Sequence, residues 1–288
     1  MQAAELRNDP FRRITVVPFT GVFGAEISGV DLNNLDDETV AEIREALLRY
    51  SVVFFHGQDF TPDAQAAFGR RFGVLNRHPY VKPMDGYPEV FRIVKEPTDK
   101  HHFGSGWHTD LAYTETPALG TILYGVDVPE AGGDTMFASQ YAAYDSLTDG
   151  MKAMLADVKA VYTNANTYGK DANRFKDGVS KAMSVQPAAV KEVAHPVIRT
   201  HPETGRKGLY LSPIHFSRFE GMTPEESKPL FDTLVAHATG PEVTCRFRWK
   251  NGSVAMWDNR CTMHYAINDF SGVGRTMQRV TLEGDRPV

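Results

Sequence analysis

From Phe91 onward the chain is a succession of short β-branched and aromatic runs broken by turn residues, and this pattern constrains the fold more than any other feature. Runs at residues 91–94, 120–124, 134–137, 208–211, 243–249, 253–257 and 276–282 have the length and composition of strands. Two helical stretches interrupt them. One covers residues 140–158; the other opens at Thr223-Pro224-Glu225-Glu226, where Thr and Glu three apart form a capping box, and runs to about His237. Helices and strands are not regularly interleaved, which argues against a parallel α/β fold. The expected architecture is mainly β with helical insertions (α+β), a β-sandwich or jelly roll.

The N-terminal part adds a strand-like run at residues 14–17 and a helix from Asp36-Asp37-Glu38, with Val40, Ile43, Leu47 and Tyr50 on one face. A buried strand at residues 51–55 and a helix capped by Thr61-Pro62 and reaching Phe72 follow. No repeat or linker divides the 288 residues, so one domain over 1–288 is expected.

Composition narrows the function classes. With 31 Lys+Arg against 36 Asp+Glu the formal charge is −5, the wrong sign for a general nucleic-acid binder. Mean hydropathy is −0.34, and no apolar run approaches the roughly 20 residues of a membrane span. The first seven residues lack the basic-then-apolar plan of a signal peptide, and the two cysteines form no CxxC pair, so a cytoplasmic protein is expected.

The sharpest motif is Trp107-His108-Thr109-Asp110. In an extended segment residues two apart point to the same side, so His108 and Asp110 can reach one metal together. A second imidazole must come from elsewhere, and His264, just past the strand candidate ending at Trp257, is available. Two imidazoles and one carboxylate leave three open positions on a six-coordinate metal, the facial arrangement of non-haem Fe(II) oxygenases. A keto acid could chelate through two of these positions and dioxygen take the third. Taken alone, an HxD tripeptide is weak. The case rests on its joining a Gly-rich approach, a distal His and a following pair of arginines, Arg275 and Arg279. Those two are an even number apart in a strand-like run and so face one way. Each guanidinium can grip a carboxylate or sulfonate with two parallel hydrogen bonds, which suggests two anions side by side.

With these residues in view the chain resembles the TauD/TfdA family of Fe(II)- and 2-oxoglutarate-dependent dioxygenases over nearly its whole length. The stretches that carry the resemblance are Trp107-His108-Thr109-Asp110, Gly132-Gly133-Asp134-Thr135, His195-Pro196-Val197, Thr200-His201-Pro202, Trp257-Asp258-Asn259-Arg260, and Arg275 with Arg279. The resemblance implies a double-stranded β-helix (jelly roll), with His108, Asp110 and His264 as iron ligands. It implies Thr135 and Arg275 as holders of the distal carboxylate of the co-substrate 2-oxoglutarate, with O2 as oxidant. It further implies that Arg279 and His78 meet the acidic group of a small substrate, and that the protein forms a dimer or tetramer.

Several positions depart from the taurine-cleaving members. Gly104 stands where those enzymes carry an Asn that contacts the amine of taurine, and Val81 where they carry a Tyr. Tyr168, preceded by Thr167, and His215 fall at positions where they carry Phe. The anion-binding half of the pocket is kept and the amine half is not, so the expected substrate is a sulfonate, sulfate ester or aryloxyalkanoate, with taurine itself as the alternative. Two further readings are a non-catalytic anion-binding jelly roll and a zinc hydrolase; the intact triad argues against the first, the paired arginines and the absence of HExxH against the second. His101 and His102 are adjacent and face opposite ways, so both cannot be ligands. His195 and His201 each precede Pro and are expected to support loops.

Overall fold

The computed structural model describes residues 11–100, 103–170 and 187–288; His101 and His102 lie outside them. The widest sheet has seven strands, in the order β1 (Thr15–Pro18), β2 (Ala25–Ser28), β3 (Val52–Phe55), β13 (Val254–Asp258), β5 (Gly120–Asp127), β15 (Arg275–Leu282) and β4 (Phe91–Lys95). Only β2 and β3 run parallel in it. A second sheet has the order β12 (Thr244–Phe247), β6 (Thr135–Ser139), β14 (Thr262–Ala266). A third joins β11 (Phe216–Phe219), β7 (Lys159–Thr163) and β8 (Glu192–Pro196), and a small ribbon pairs β10 (Lys207–Leu209) with β9 (Ile198–Thr200).

Alternation along the strands builds two cores on either side of the wide sheet. Val53, Phe55, Ile122, Val254, Met256 and Val280 pack on one face against α1 (Asp37–Tyr50) and α2 (Pro62–Arg70). Val52, Phe54, Leu123, Ala255, Trp257 and Met277 face the other way, toward Phe137, Cys245 and Phe247 of the second sheet. Phe54 stacks on Phe247 with ring centroids 4.2 Å apart and planes 3° from parallel. Because both faces are covered, β3 and β13 read as continuous apolar runs rather than as alternating ones.

The helices begin where the caps dictate. The Asp36 carboxylate accepts from Thr39 N at 2.8 Å to open α1, and Thr61 does the same for α2 through Ala64 N. α2 ends at Arg70 rather than Phe72, because Arg71 and Phe72 bond three residues back, to Phe68 and Gly69, in a tightened last turn. The helix expected over residues 140–158 is two: α3 (Gln140–Asp145) and α4 (Asp149–Leu155). Ser146 turns its hydroxyl back onto the carbonyls of Ala142 and Ala143, and Thr148 caps a fresh start through Met151 N. A four-residue turn of helix, α5 (Ala165–Tyr168), precedes the last helix, α6 (Pro224–Ala238), whose Thr223–Glu226 capping box forms as expected. No helix among the described residues is long and apolar enough to cross a membrane.

Candidate active site

The motif segment crosses from β4 to β5 and makes a bridge to the second sheet. His108 N donates to His264 O at 3.0 Å and His264 N to His108 O at 2.9 Å, so the two histidines stand directly opposite each other. His264 lies within β14, not just past a strand, because the chain leaves the wide sheet after Asp258 and enters the second at Thr262. Thr109 points away from its neighbours. Its hydroxyl donates to Leu211 O at 3.1 Å, and its N–H donates to Ser212 Oγ. The alternation therefore turns His108 and Asp110 to one side, where they meet His264: three ligand atoms lie within 4.8 Å of one another, all on buried residues.

The two oxygens of Asp110 have separate roles. Oδ1 sits 3.8 Å from His108 Nε2 and 3.7 Å from His264 Nε2. Oδ2 is held by Arg279 Nη2 at 2.6 Å and by the Thr121 hydroxyl at 2.8 Å. Thr121 is itself placed by Asn259, whose Nδ2 donates to it at 3.2 Å while Oδ1 accepts from Asp110 N and Trp257 Nε1. One oxygen is tied down and the other faces the imidazoles, the geometry of a single-oxygen ligand. Burial pushes the Asp110 carboxyl up, but the Arg279 guanidinium bonded to Oδ2 outweighs it and holds the group well below the usual carboxylate range. Burial and the neighbouring His108 push His264 well down, so it is neutral. Gly106 O, on a residue with φ +94°, lies 2.8 Å from His108 Nδ1. A proton on that nitrogen leaves Nε2 as a lone pair toward Asp110. An ionised carboxylate at Asp110 and a neutral imidazole at His264 are the protonation states metal ligation requires. His264 Nδ1 is buried without a hydrogen-bond partner.

Arg275, at the start of β15, is 5% exposed, with its guanidinium 5.8 Å from the Trp249 ring and 5.9 Å from Phe270. Its Nε and Nη2 have no hydrogen-bond partner, and burial pulls its pKa down to about 10. A buried cation with two unused donors fits a carboxylate ligand. Trp249 connects it to Thr135, whose hydroxyl oxygen accepts from the indole Nε1 at 2.9 Å.

Next to the triad lies a small cavity of about 30 Å³. His78, Gly104, Thr167, Tyr168, His215 and Arg279 line it together with His108 and Asp110; Val81 does not, being packed into the core with Phe91 and Phe103. His78 Nε2 lies 3.3 Å from the Tyr168 hydroxyl, and its Nδ1 accepts from the N–H groups of Tyr80 and Val81. His215 Nδ1 pairs with Ser212 Oγ at 2.9 Å. Gly104 has φ +90°, and a Cβ there would stand 3.8 Å from His108 Cε1, so the bare backbone forms a floor beside the imidazole. Arg279, expected to await a substrate anion, already spends Nη2 on Asp110 and Nε on Thr281. Thr121, Asn259, Trp249 and Tyr113, another lining residue, were not foreseen. Asn259 sat in a singled-out motif, but nothing in the spacing pairs it with Thr121.

Two other features hold no comparable site. A cleft of about 600 Å³ along residues 246–251 contains none of the candidate residues. His201, Asp258 and Cys261 also cluster within 4.8 Å, yet Arg260 grips both oxygens of Asp258, at 2.9 and 2.6 Å. His201 Nδ1 accepts from two backbone N–H groups, so its Nε2 carries the proton that it donates to Asp258. No lone pair is left there for a metal, and burial pushes the Cys261 thiol up to about 12. This network anchors the turn that carries Asn259. His195, whose Nε2 donates to Thr114 O at 2.9 Å, likewise supports a loop.

The sequence profile of the family described as taurine catabolism dioxygenase TauD, TfdA family matches residues 15–281. An alpha-ketoglutarate-dependent sulfate ester dioxygenase of Pseudomonas putida is 37% identical over 281 residues, covering 96% of this chain and 91% of that protein. An alkylsulfatase of Acinetobacter baylyi is 36% identical over 280 residues, covering 96% and 87%. Among solved structures, a taurine dioxygenase from Burkholderia xenovorans superposes with a TM-score of 0.80 at 38% identity, covering 96% of this chain and 91% of that one.

Proposed function

Because the chain belongs to the taurine catabolism dioxygenase TauD, TfdA family, we propose that it is an Fe(II)- and 2-oxoglutarate-dependent dioxygenase with a jelly-roll core. Its proposed substrate is a small organic anion: a sulfate ester, the class on which the Pseudomonas putida relative is named to act, or a sulfonate. The observation that carries the reading is the Asp110 carboxylate, with one oxygen pinned by Arg279 and Thr121 and the other turned to two imidazoles.

In this reading His108, Asp110 and His264 hold the metal, a donor set that suits Fe(II). Bound iron supplies the redox chemistry by which 2-oxoglutarate, dioxygen and a substrate C–H become succinate, carbon dioxide and C–OH. Arg275 and Thr135 hold the distal carboxylate of 2-oxoglutarate, and the two unused donors of Arg275 support this most directly. Arg279 is left with Nη1 for the substrate anion beside His78. Hydroxylation at the carbon bearing the sulfate oxygen or the sulfonate sulfur would release that group as sulfate or sulfite and leave an aldehyde. The side chains need no nucleophile or general base; they fix distances and keep the site dry.

The test is succinate production with Fe(II), 2-oxoglutarate and a panel of alkyl sulfates, sulfonates and aryloxyacids. Succinate that depends on an added sulfate ester or sulfonate is expected, and its loss in His108→Ala; full turnover by that variant would falsify the ligand assignment. Taurine is expected to be a poor member of the panel, since Gly104 offers its amine no side chain.

A further inference from the structure

Aromatic rings close a circuit around the cavity. From His108 the contacts pass to His215 (centroids 6.3 Å apart), Tyr113 (4.9 Å), Tyr168 (5.8 Å), His78 (5.8 Å) and Phe91 (5.4 Å). Arg279 lies 5.6 Å over Phe91 and returns the circuit to Asp110. One side of this ring is therefore the charged, metal-binding side; the other is lined by Tyr113 and Thr167.

The hydroxyls of these two residues line the cavity, buried and without a well-formed hydrogen bond among the described residues, Tyr113 having the Tyr168 hydroxyl near it. Tyr113 is 2% exposed and Thr167 6%. Neither state is what the local structure would produce by itself. A Thr on a helical turn usually bonds the carbonyl four residues back, and a buried Tyr usually finds an acceptor. Burial raises the Tyr113 hydroxyl far above its ordinary range, so it stays protonated and can donate.

Resting on the dioxygenase reading above, we propose that Tyr113 and Thr167 select substrates whose organic part carries a second oxygen, an ether, hydroxyl or carbonyl, remote from the anionic group. A plain alkyl chain seated here would strip these hydroxyls of water and give nothing back, and an unmet buried donor costs about 1–3 kcal/mol. An oxygen at the right place along the chain removes that cost. The discrimination has the asymmetry of sites built around a hydrogen bond: they reject the analogue that lacks the partner more firmly than a smooth apolar pocket rejects an extra hydroxyl. Leu111 and Ile214 supply apolar wall for the carbon skeleton, which the cavity of about 30 Å³ must widen to admit.

The experiment compares a linear alkyl sulfate with isosteres in which one methylene at a time is replaced by an ether oxygen. Dissociation constants are measured by calorimetry on protein loaded anaerobically with Fe(II) and 2-oxoglutarate, and kcat/KM by succinate release in air. One isostere is expected to exceed the alkyl parent by about tenfold in both. Tyr113→Phe or Thr167→Val should bring that ratio toward one while thermal unfolding confirms the fold. Isosteres that bind and turn over no better than the parent in the unsubstituted protein overturn the proposal. So does a preference that survives both substitutions. Succinate released from alkyl sulfates with a flat ratio refutes only this inference. No succinate from any anion overturns the dioxygenase reading and this one with it.

Discussion

The Arg279–Asp110 pair gives the sharpest quantitative handle on the site. Replacing Arg279 with Met keeps an unbranched apolar stem against Phe91 and Trp257 and removes the cation that holds Asp110 Oδ2 at 2.6 Å, with both side chains at most 7% exposed. Breaking a buried pair in this way typically costs about 3–5 kcal/mol. The stranded carboxylate has an escape, which is to take up a proton. From an unfolded pKa near 3.9, protonation at pH 7 costs about 4 kcal/mol, so the two routes agree on the size of the loss. With an unfolding entropy of roughly 2.1 cal/mol/K per residue, 4 kcal/mol lowers Tm by about 6–7 °C in a chain of this length. The protonation route falls by about 1.4 kcal/mol per pH unit, so the deficit at pH 5 should be near 1.5 kcal/mol, or roughly 2–3 °C. Scanning calorimetry of metal-free protein at both pH values measures this directly. Adding Mn(II) should raise Tm of the variant more than that of the parent, since the ion replaces the lost guanidinium as the positive charge beside Asp110. A deficit under about 2 °C at pH 7, or an equal one at pH 5, would refute the argument that Asp110 depends on Arg279.

Other outcomes follow from the same geometry. On the proposed role of Arg275, Arg275→Met should weaken 2-oxoglutarate binding on the order of 100-fold by removing two charge-assisted hydrogen bonds, with the apparent KM for 2-oxoglutarate as the readout. In the metal-free protein His195 and His264 are both depressed below their ordinary value of 6.5, in each case chiefly by burial. Their contribution to stability is therefore complete above pH 6.5 and is lost as the pH falls. Unfolding free energies from denaturant titrations between pH 7 and 5 should drop at up to about 1.4 kcal/mol per pH unit for each imidazole, and flat values would contradict it. Phe54→Ala, which removes the ring stacked on Phe247 between the two sheets, should cost about 3–5 kcal/mol in urea unfolding.

The parts of the site that were legible in the sequence are those set by local periodicity. His108 and Asp110 share a side because Thr109 between them is drawn into the core. Arg275 and Arg279 lie on one strand and are both buried. What could not be read were contacts made across sheets. Thr121 meets Asp110 and Asn259 only because β5 lies between β13 and β15, and a lone Thr in an apolar run carries no mark of that. The division between α3 and α4 depends on two hydroxyls turning back on the backbone, a choice that helical periodicity alone does not reveal. Strands β7, β8, β9 and β11 are short and each carries a charged residue, Lys159, Glu192, Arg199 and Arg218, so none stands out as an apolar run in the way β3 does. Val81 was placed at the cavity by position alone, yet its burial among Phe91 and Phe103 puts it behind the wall.

The backbone bridge between His108 and His264 ties the life of the site to the order in which the chain is made. His108 and Asp110 emerge early in synthesis and lack His264 until β14 is released and docks, so a nascent N-terminal portion carries only two of the three candidate ligands. Once the bridge is made, drawing the two imidazoles apart means breaking both of its hydrogen bonds. Loss of the ion and solvent exchange of these two amides should then follow one clock, the rate at which the second sheet lets go of the motif segment.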